Sequence, residues 1–115
     1  MGNDVAYKLL HLRRDGTLGP LFIHRRQVIE QYQWLRAEDW PTRGYAHRPG
    51  WHCAPRPYAP HLCLRDRVWC RVRIHDYVPL VRPAAQGGTW WLAKLMYVAE
   101  ILNEQEVNDV LAASS

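Results

Sequence analysis

The chain has 115 residues, 48% of them hydrophobic, with a formal net charge of +4, which suits a single domain, 1–115, with one core. No apolar run approaches the roughly 20 residues of a membrane helix, and the first residues, MGNDVAYKLLHLRRDG, lack a charged-then-apolar leader. Membrane partners and secretion are therefore not expected.

Tyr7–Leu12 reads as a strand, Arg13–Gly16 as a turn and Leu18–Ile23 as a returning strand interrupted by Pro20, together an N-terminal hairpin. Arg25–Ala37 reads as a helix, because Val28, Ile29, Tyr32 and Leu35 fall on one stripe. Trp40–His61 follows as a long, stiff loop. It holds five of the eight prolines, three of the six histidines and three arginines, and no acid occurs between Trp40 and Arg65. Loops of more than about 12–15 residues are usually functional or disordered, and the aromatic content argues against disorder.

Arg67–Val81 alternates clearly. Val68, Cys70, Val72 and Ile74 point one way, and Trp69, Arg71, Arg73 and His75 the other, the pattern of a half-buried strand. Gln86–Thr89 is a glycine turn. Trp90–Leu102 is apolar and rich in strand formers. Asn103 then begins a short helix, with Glu106 placed for a capping box and Val107, Val110 and Leu111 as its packing face. The order predicts an α+β fold: a small, mainly antiparallel sheet with an N-terminal hairpin, one packed helix, the long Pro/His/Trp loop and a short C-terminal helix.

Thirteen of the fifteen basic residues are arginine, and residues 1–98 carry fifteen basic against seven acidic side chains, while the tail carries Glu100, Glu104, Glu106 and Asp109. Arginine matches phosphate with a planar fork and stacks on aromatics, so an anionic partner is expected for the basic body. In the loop, Arg43, Arg48 and Arg56 supply guanidinium groups. Trp51, Tyr45 and Tyr58 supply stacking platforms, and His52 and His61 supply hydrogen bonds or a base. Arg71 and Arg73 extend that surface onto the strand, and the Gln86–Thr89 turn offers backbone amides.

Metal and thiol chemistry are less well served. His52, Cys53, His61, Cys63, Cys70 and His75 are possible zinc ligands, but the adjacent His52-Cys53 and the His61-x-Cys63 pair match no finger or ribbon spacing. No metal and no cofactor is expected. Adjacent residues in an extended chain point apart, so His52-Cys53 is not itself a nucleophile-base pair. An odd number of cysteines, Cys53, Cys63 and Cys70, without a leader points to free thiols and a cytoplasmic location.

The elements YKLLHLRRDGTLGPLFI, PTRGYAHRPGWHCAPRPYAPHL, RVWCRVRIHDY and QGGTWWLAKLM resemble a group of short, mostly uncharacterised proteins of tailed bacteriophages and prophages, over roughly residues 7–102. The resemblance implies a viral accessory protein in the host cytoplasm, acting in host takeover or anti-defence. The layout is also similar to small ADP-ribosyltransferase-type folds, with Gly50-Trp51-His52 as the matching Gly-aromatic-His element and Glu100 near the last strands. Three expectations follow: a binder of a nucleotide-like anion or nucleic acid through Trp40–His61, a small nucleotide-acting enzyme with His52 or His61 as base, and an inhibitor that binds a host protein.

Overall fold

A computed structural model describes residues 4–21, 26–37 and 50–113. Its elements in chain order are β1 (Asp4–Leu12), β2 (Leu18–Gly19), β3 (Trp34–Arg36), β4 (Trp51–Cys53), β5 (Arg67–Leu80), β6 (Trp90–Ile101) and α1 (Glu104–Ala113), with a 3-10 turn at Ala84–Gln86. The architecture is a small α+β fold, an antiparallel sheet that curls on itself with one C-terminal helix.

β1 and β2 form the N-terminal hairpin, pairing His11 with Gly19 and Leu12 with Leu18. Its turn is closed by the Arg13 amide donating to the Thr17 carbonyl at 3.0 Å, and Gly16 supplies the positive φ of 87° that the turn requires. The Asp15 carboxylate accepts from the Thr17 amide and hydroxyl, and these hydrogen bonds hold its pKa below the usual value.

The helix expected over Arg25–Ala37 does not form in the described residues 26–37. Ile29 bridges to Leu18, Gln31 bridges to Val98, and Trp34–Arg36 lies antiparallel to Leu95–Tyr97 of β6. Tyr32 takes a left-handed φ of 65°, which no helix interior accommodates. The reason is backbone supply and demand. The outer edge of β6 presents unpaired amides and carbonyls, and pairing them outweighs a helix propensity worth only tenths of a kcal/mol per residue.

The sheet runs β2-β1-β5-β6-β3, and β4 also pairs with β6. β3 takes Leu95–Tyr97 and β4 takes Trp91–Ala93, so the two short strands share one edge of β6 end to end. The curl closes twice. Tyr7 and Ala54 exchange both backbone hydrogen bonds at 2.8 and 2.7 Å, and the Ile29 amide donates to the Leu18 carbonyl at 2.8 Å. The expected long loop is therefore interrupted: Trp51–Cys53 is strand, buried at alternate residues.

β5 behaves as its alternation predicts. Cys70, Val72 and Ile74 point into the curl with Ala6, Leu10, Met96 and Val98. At Asp76 the strand takes a positive φ of 55°, and the inward set changes from Val72 and Ile74 to Tyr77. β6 switches in step, from Val98 and Met96 to Ala93, and the Lys94 ammonium lies 3.7 Å from the Asp76 carboxylate across the bend. Lys8 is half-buried on the inward side of β1, and its Nζ donates to the His52 carbonyl at 2.8 Å, tying β1 to β4. Desolvation lowers its pKa.

A second core lies on the outer face. Leu9, Trp69, Trp90 and Leu102 are buried there beneath Val107 and Val110 of α1. The helix starts with the expected capping box: the Glu106 amide donates to Asn103 Oδ1 at 2.8 Å, and the Asn103 amide donates to Glu106 Oε1 at 3.1 Å.

Candidate anion-binding site

Residues 54–62 leave the sheet at Ala54 and fold over the second core. Three residues are anchors: Pro57 is fully buried, Ala59 is buried, and Leu62 packs against the second core. The Tyr58 amide donates to the Arg56 carbonyl at 2.8 Å and the Leu62 amide to the Ala59 carbonyl at 3.1 Å. These two tight turns leave Arg56, Tyr58 and His61 outside. The Arg56 guanidinium lies over the Tyr58 ring at 5.2 Å, and Tyr58 is 43% exposed. Stacking on an aromatic face holds a guanidinium in place without consuming its hydrogen-bond donors.

The glycine turn closes on the same place. Pro83 leads into the turn, and the Gly87 and Gly88 amides donate back to Ala84 and Pro83 at 3.0 and 3.2 Å. The Gly87 and Gly88 amides are thus engaged within the turn and are not among those that Gln86–Thr89 offers to an anion. What the glycines supply is close packing: a Cβ on Gly87 would stand 3.1 Å from Trp90 Nε1 and 3.2 Å from the Tyr58 carbonyl. Trp90 Nε1 donates to the Gln86 carbonyl at 2.7 Å, and Arg82 Nη1 donates to Gln86 Oε1 at 3.0 Å.

His61 stands edge-on to Trp90, with ring centroids 6.0 Å apart. Desolvation first, and the nearby Arg82 charge second, push its pKa below the ordinary imidazole value. The cluster is thus Arg56, Tyr58, His61 and Arg82 around Trp90 and Gly87. Neither contributing segment contains an acid: Asp and Glu are missing from 40–65 and from 77–99. Two guanidinium groups and a neutral imidazole beside an exposed phenol ring can hold a phosphate and stack a base. Sequence reasoning found three of these residues and missed Arg82, whose signal was the second acid-free run.

The other expected residues are placed differently. Arg43, Tyr45 and Arg48 lie outside the described residues. Trp51 is a core residue, 8% exposed, with Nε1 donating to the Leu35 carbonyl at 3.0 Å; it is not available as a stacking platform. His52 lies on β4 opposite Leu92, half-buried, with its carbonyl held by Lys8. Arg71 is committed to Glu100 at 2.7 Å and to the Tyr7 ring at 5.9 Å, while Arg73 is exposed. A recess of about 270 Å³ is lined by His11, Arg13, Pro20, Leu21 and Arg67. Its arginines brace backbone, Arg13 donating to the Gln27 carbonyl at 2.6 Å and Arg67 to the Cys63 carbonyl at 2.9 Å.

Cys53 and Cys70 are buried free thiols and Cys63 is exposed, and among the described residues no three His, Cys, Asp or Glu side chains are grouped to hold a metal ion. The ADP-ribosyltransferase layout needs Gly50-Trp51-His52 and Glu100 to share a pocket. His52 pairs with Leu92, and Glu100 lies eight residues further along β6, roughly 25 Å at about 3.3 Å per residue. With Glu100 also bound to Arg71, the two do not meet.

Fold and site together define a small curled-sheet domain that carries a basic, aromatic surface cluster. Comparison of the chain with protein-family models, curated proteins and solved structures gave no match. No helix among the described residues is long and apolar enough to cross a membrane.

Proposed function

We propose that this protein is a non-enzymatic binder of an anionic, nucleotide-like ligand or nucleic acid. The carrying observation is the Arg56 guanidinium stacked on the exposed Tyr58 ring, beside His61 and Arg82, between two acid-free segments. Arg56 and Arg82 engage phosphate, Tyr58 stacks on a base, and His61 accepts or donates a hydrogen bond. The resemblance to tailed-phage proteins supports an accessory role during infection, in the host cytoplasm, where such a binder would occupy a host nucleic acid or sequester a nucleotide signal.

Fluorescence anisotropy with labelled oligothymidylate and a labelled ATP analogue, over a range of salt, tests the proposal. Arg56→Ala and Arg82→Ala each lower the salt slope by about one, and Tyr58→Ala weakens binding by about 1–3 kcal/mol. All three sites are at the surface of the loop and turn, so the fold is retained. Wild-type protein that binds neither probe, or variants with unchanged affinity and slope, would sink the proposal.

A further inference from the structure

The outer face of the curled sheet has two halves. One is covered: Leu9 of β1, Trp69 of β5 and Leu102 are buried beneath α1 and the 57–62 segment. The other is exposed. The registers place Val5, Arg73, Tyr97 and Trp34 side by side in one row across β1, β5, β6 and β3. The next row is His75, Leu95 and Arg36. Val5 is 50% exposed and Trp34 41%, Arg73 and Arg36 are exposed, and Tyr32 at the entry to β3 is 68% exposed.

The Trp34 and Tyr97 rings lie 5.6 Å apart at 49°, so Tyr97 buttresses Trp34 from one side. The carboxylates that β1, β5 and β6 place beside the two rows are already engaged. Asp4 accepts from the Tyr77 hydroxyl, Asp76 pairs with Lys94, and Glu100 pairs with Arg71. Among the described residues, Arg73 and Arg36 have no ion pair.

Building on the proposed function, we infer that this exposed half-face is a second binding surface, and that it takes an unpaired nucleic acid strand. Charge argues for a polyanion: two arginines and a histidine are interleaved with aromatics, and two of the three flanking carboxylates, Asp76 and Glu100, are paired with Lys94 and Arg71. Chemistry argues for a single strand, because a base can lie on Trp34 only when it is not stacked within a duplex. Span argues for a polymer. Arg73 and Trp34 stand on strands two steps apart, about 10 Å, and the Arg56–Tyr58 cluster is a separate station. A mononucleotide occupies only one of these places, whereas a strand occupies both.

The full-length chain is titrated with labelled oligothymidylates of increasing length, with duplex DNA of the same length and with a labelled ATP analogue. Trp34→Ala and Arg73→Ala each weaken the long oligonucleotide by about tenfold, and Arg73→Ala lowers its salt slope by about one. Both leave the ATP analogue unchanged, whereas Arg56→Ala weakens both probes. Circular dichroism checks the fold, and Arg73→Gln, at an exposed position, repeats the test without touching an aromatic. Oligonucleotide affinity that falls with Arg56→Ala but is unmoved by Trp34→Ala, Arg73→Ala and Arg73→Gln overturns the second surface and leaves the proposed function standing. Duplex bound as tightly as single strand overturns the choice of an unpaired strand. No binding of any probe overturns both conclusions. A host protein captured through Trp34 from nuclease-treated lysate, without oligonucleotide binding, assigns the face to a protein instead and also overturns the inference.

Discussion

The two buried thiols give the fold an alkaline limit. Cys53 and Cys70 are each 0% exposed inside the curl. Burial pushes Cys53 up to about 11 and Cys70 up to about 12 from an ordinary 9.0, against a smaller downward pull from the Lys8 charge. Between the ordinary and the raised value, the unfolded chain has lost a thiol proton that the folded protein keeps, so stability falls as pH rises through that window. At about pH 10 the unfolded thiol is one unit past its midpoint, which removes about 1 kcal/mol per buried cysteine relative to neutral pH. Lys8 acts with the opposite sign. Desolvation lowers its folded value below 10.5, so its titration adds stability as pH rises toward that value. A variant separates the two effects. Cys70→Ala loses packing and is less stable than wild type at neutral pH, and this deficit shrinks by about 1 kcal/mol at about pH 10. Urea unfolding followed by tryptophan fluorescence, under reducing conditions, measures the deficit at each pH. A deficit that stays constant across the range refutes the claim that the Cys70 thiol is desolvated by the core.

Two further substitutions probe the frame that holds the cluster in place. Ala54→Pro removes the 2.7 Å donor to the Tyr7 carbonyl and leaves that acceptor buried without its partner, a loss of about 2–4 kcal/mol; an unchanged urea midpoint means the Tyr7–Ala54 closure contributes nothing. Asn103→Ala removes the cap on the Glu106 amide and costs about 1 kcal/mol. The expected signature is faster hydrogen exchange in the first turn of α1, and unaltered exchange there refutes the capping assignment.

The parts of the fold visible in the sequence were those specified locally. The alternation of Arg67–Leu80, the Asp-Gly turn of the hairpin and the Asn103–Glu106 capping box each depend on neighbours within a few residues. The segment 26–37 was misleading because Ile29 and Leu35, both directed into the core, fit a helical stripe as well as a broken strand. Only the free edge of β6, some sixty residues away in sequence, decides between them. Trp51-His52-Cys53 carried a three-residue alternation that marked it as strand, but it was masked by the prolines on either side. In the site, Arg56, Tyr58 and His61 were legible from the acid-free loop. Arg82 was not, because it joins them only through the packing of Gly87 against Tyr58 and Trp90. Nor did composition distinguish the committed Arg71 from the exposed Arg73; the partner carboxylate of Arg71 comes from the end of β6.

β6 pairs on one side with β5 and on the other with both β3 and β4, which gives the order of synthesis a physical meaning. A nascent chain that has emerged only as far as β5 can form the hairpin and lay β1 along β5. It cannot yet cover the far edge of β5, nor give β3 and β4 any partner strand. Such a chain presents unpaired backbone and the apolar side chains Val72 and Ile74 to other chains, the condition under which strands pair between molecules. Release from that state waits for β6 to emerge, so a ribosome stalled between β5 and β6 yields a fragment prone to aggregate, whereas in the folded protein the far edge of β5 and the short strands β3 and β4 are all paired with β6.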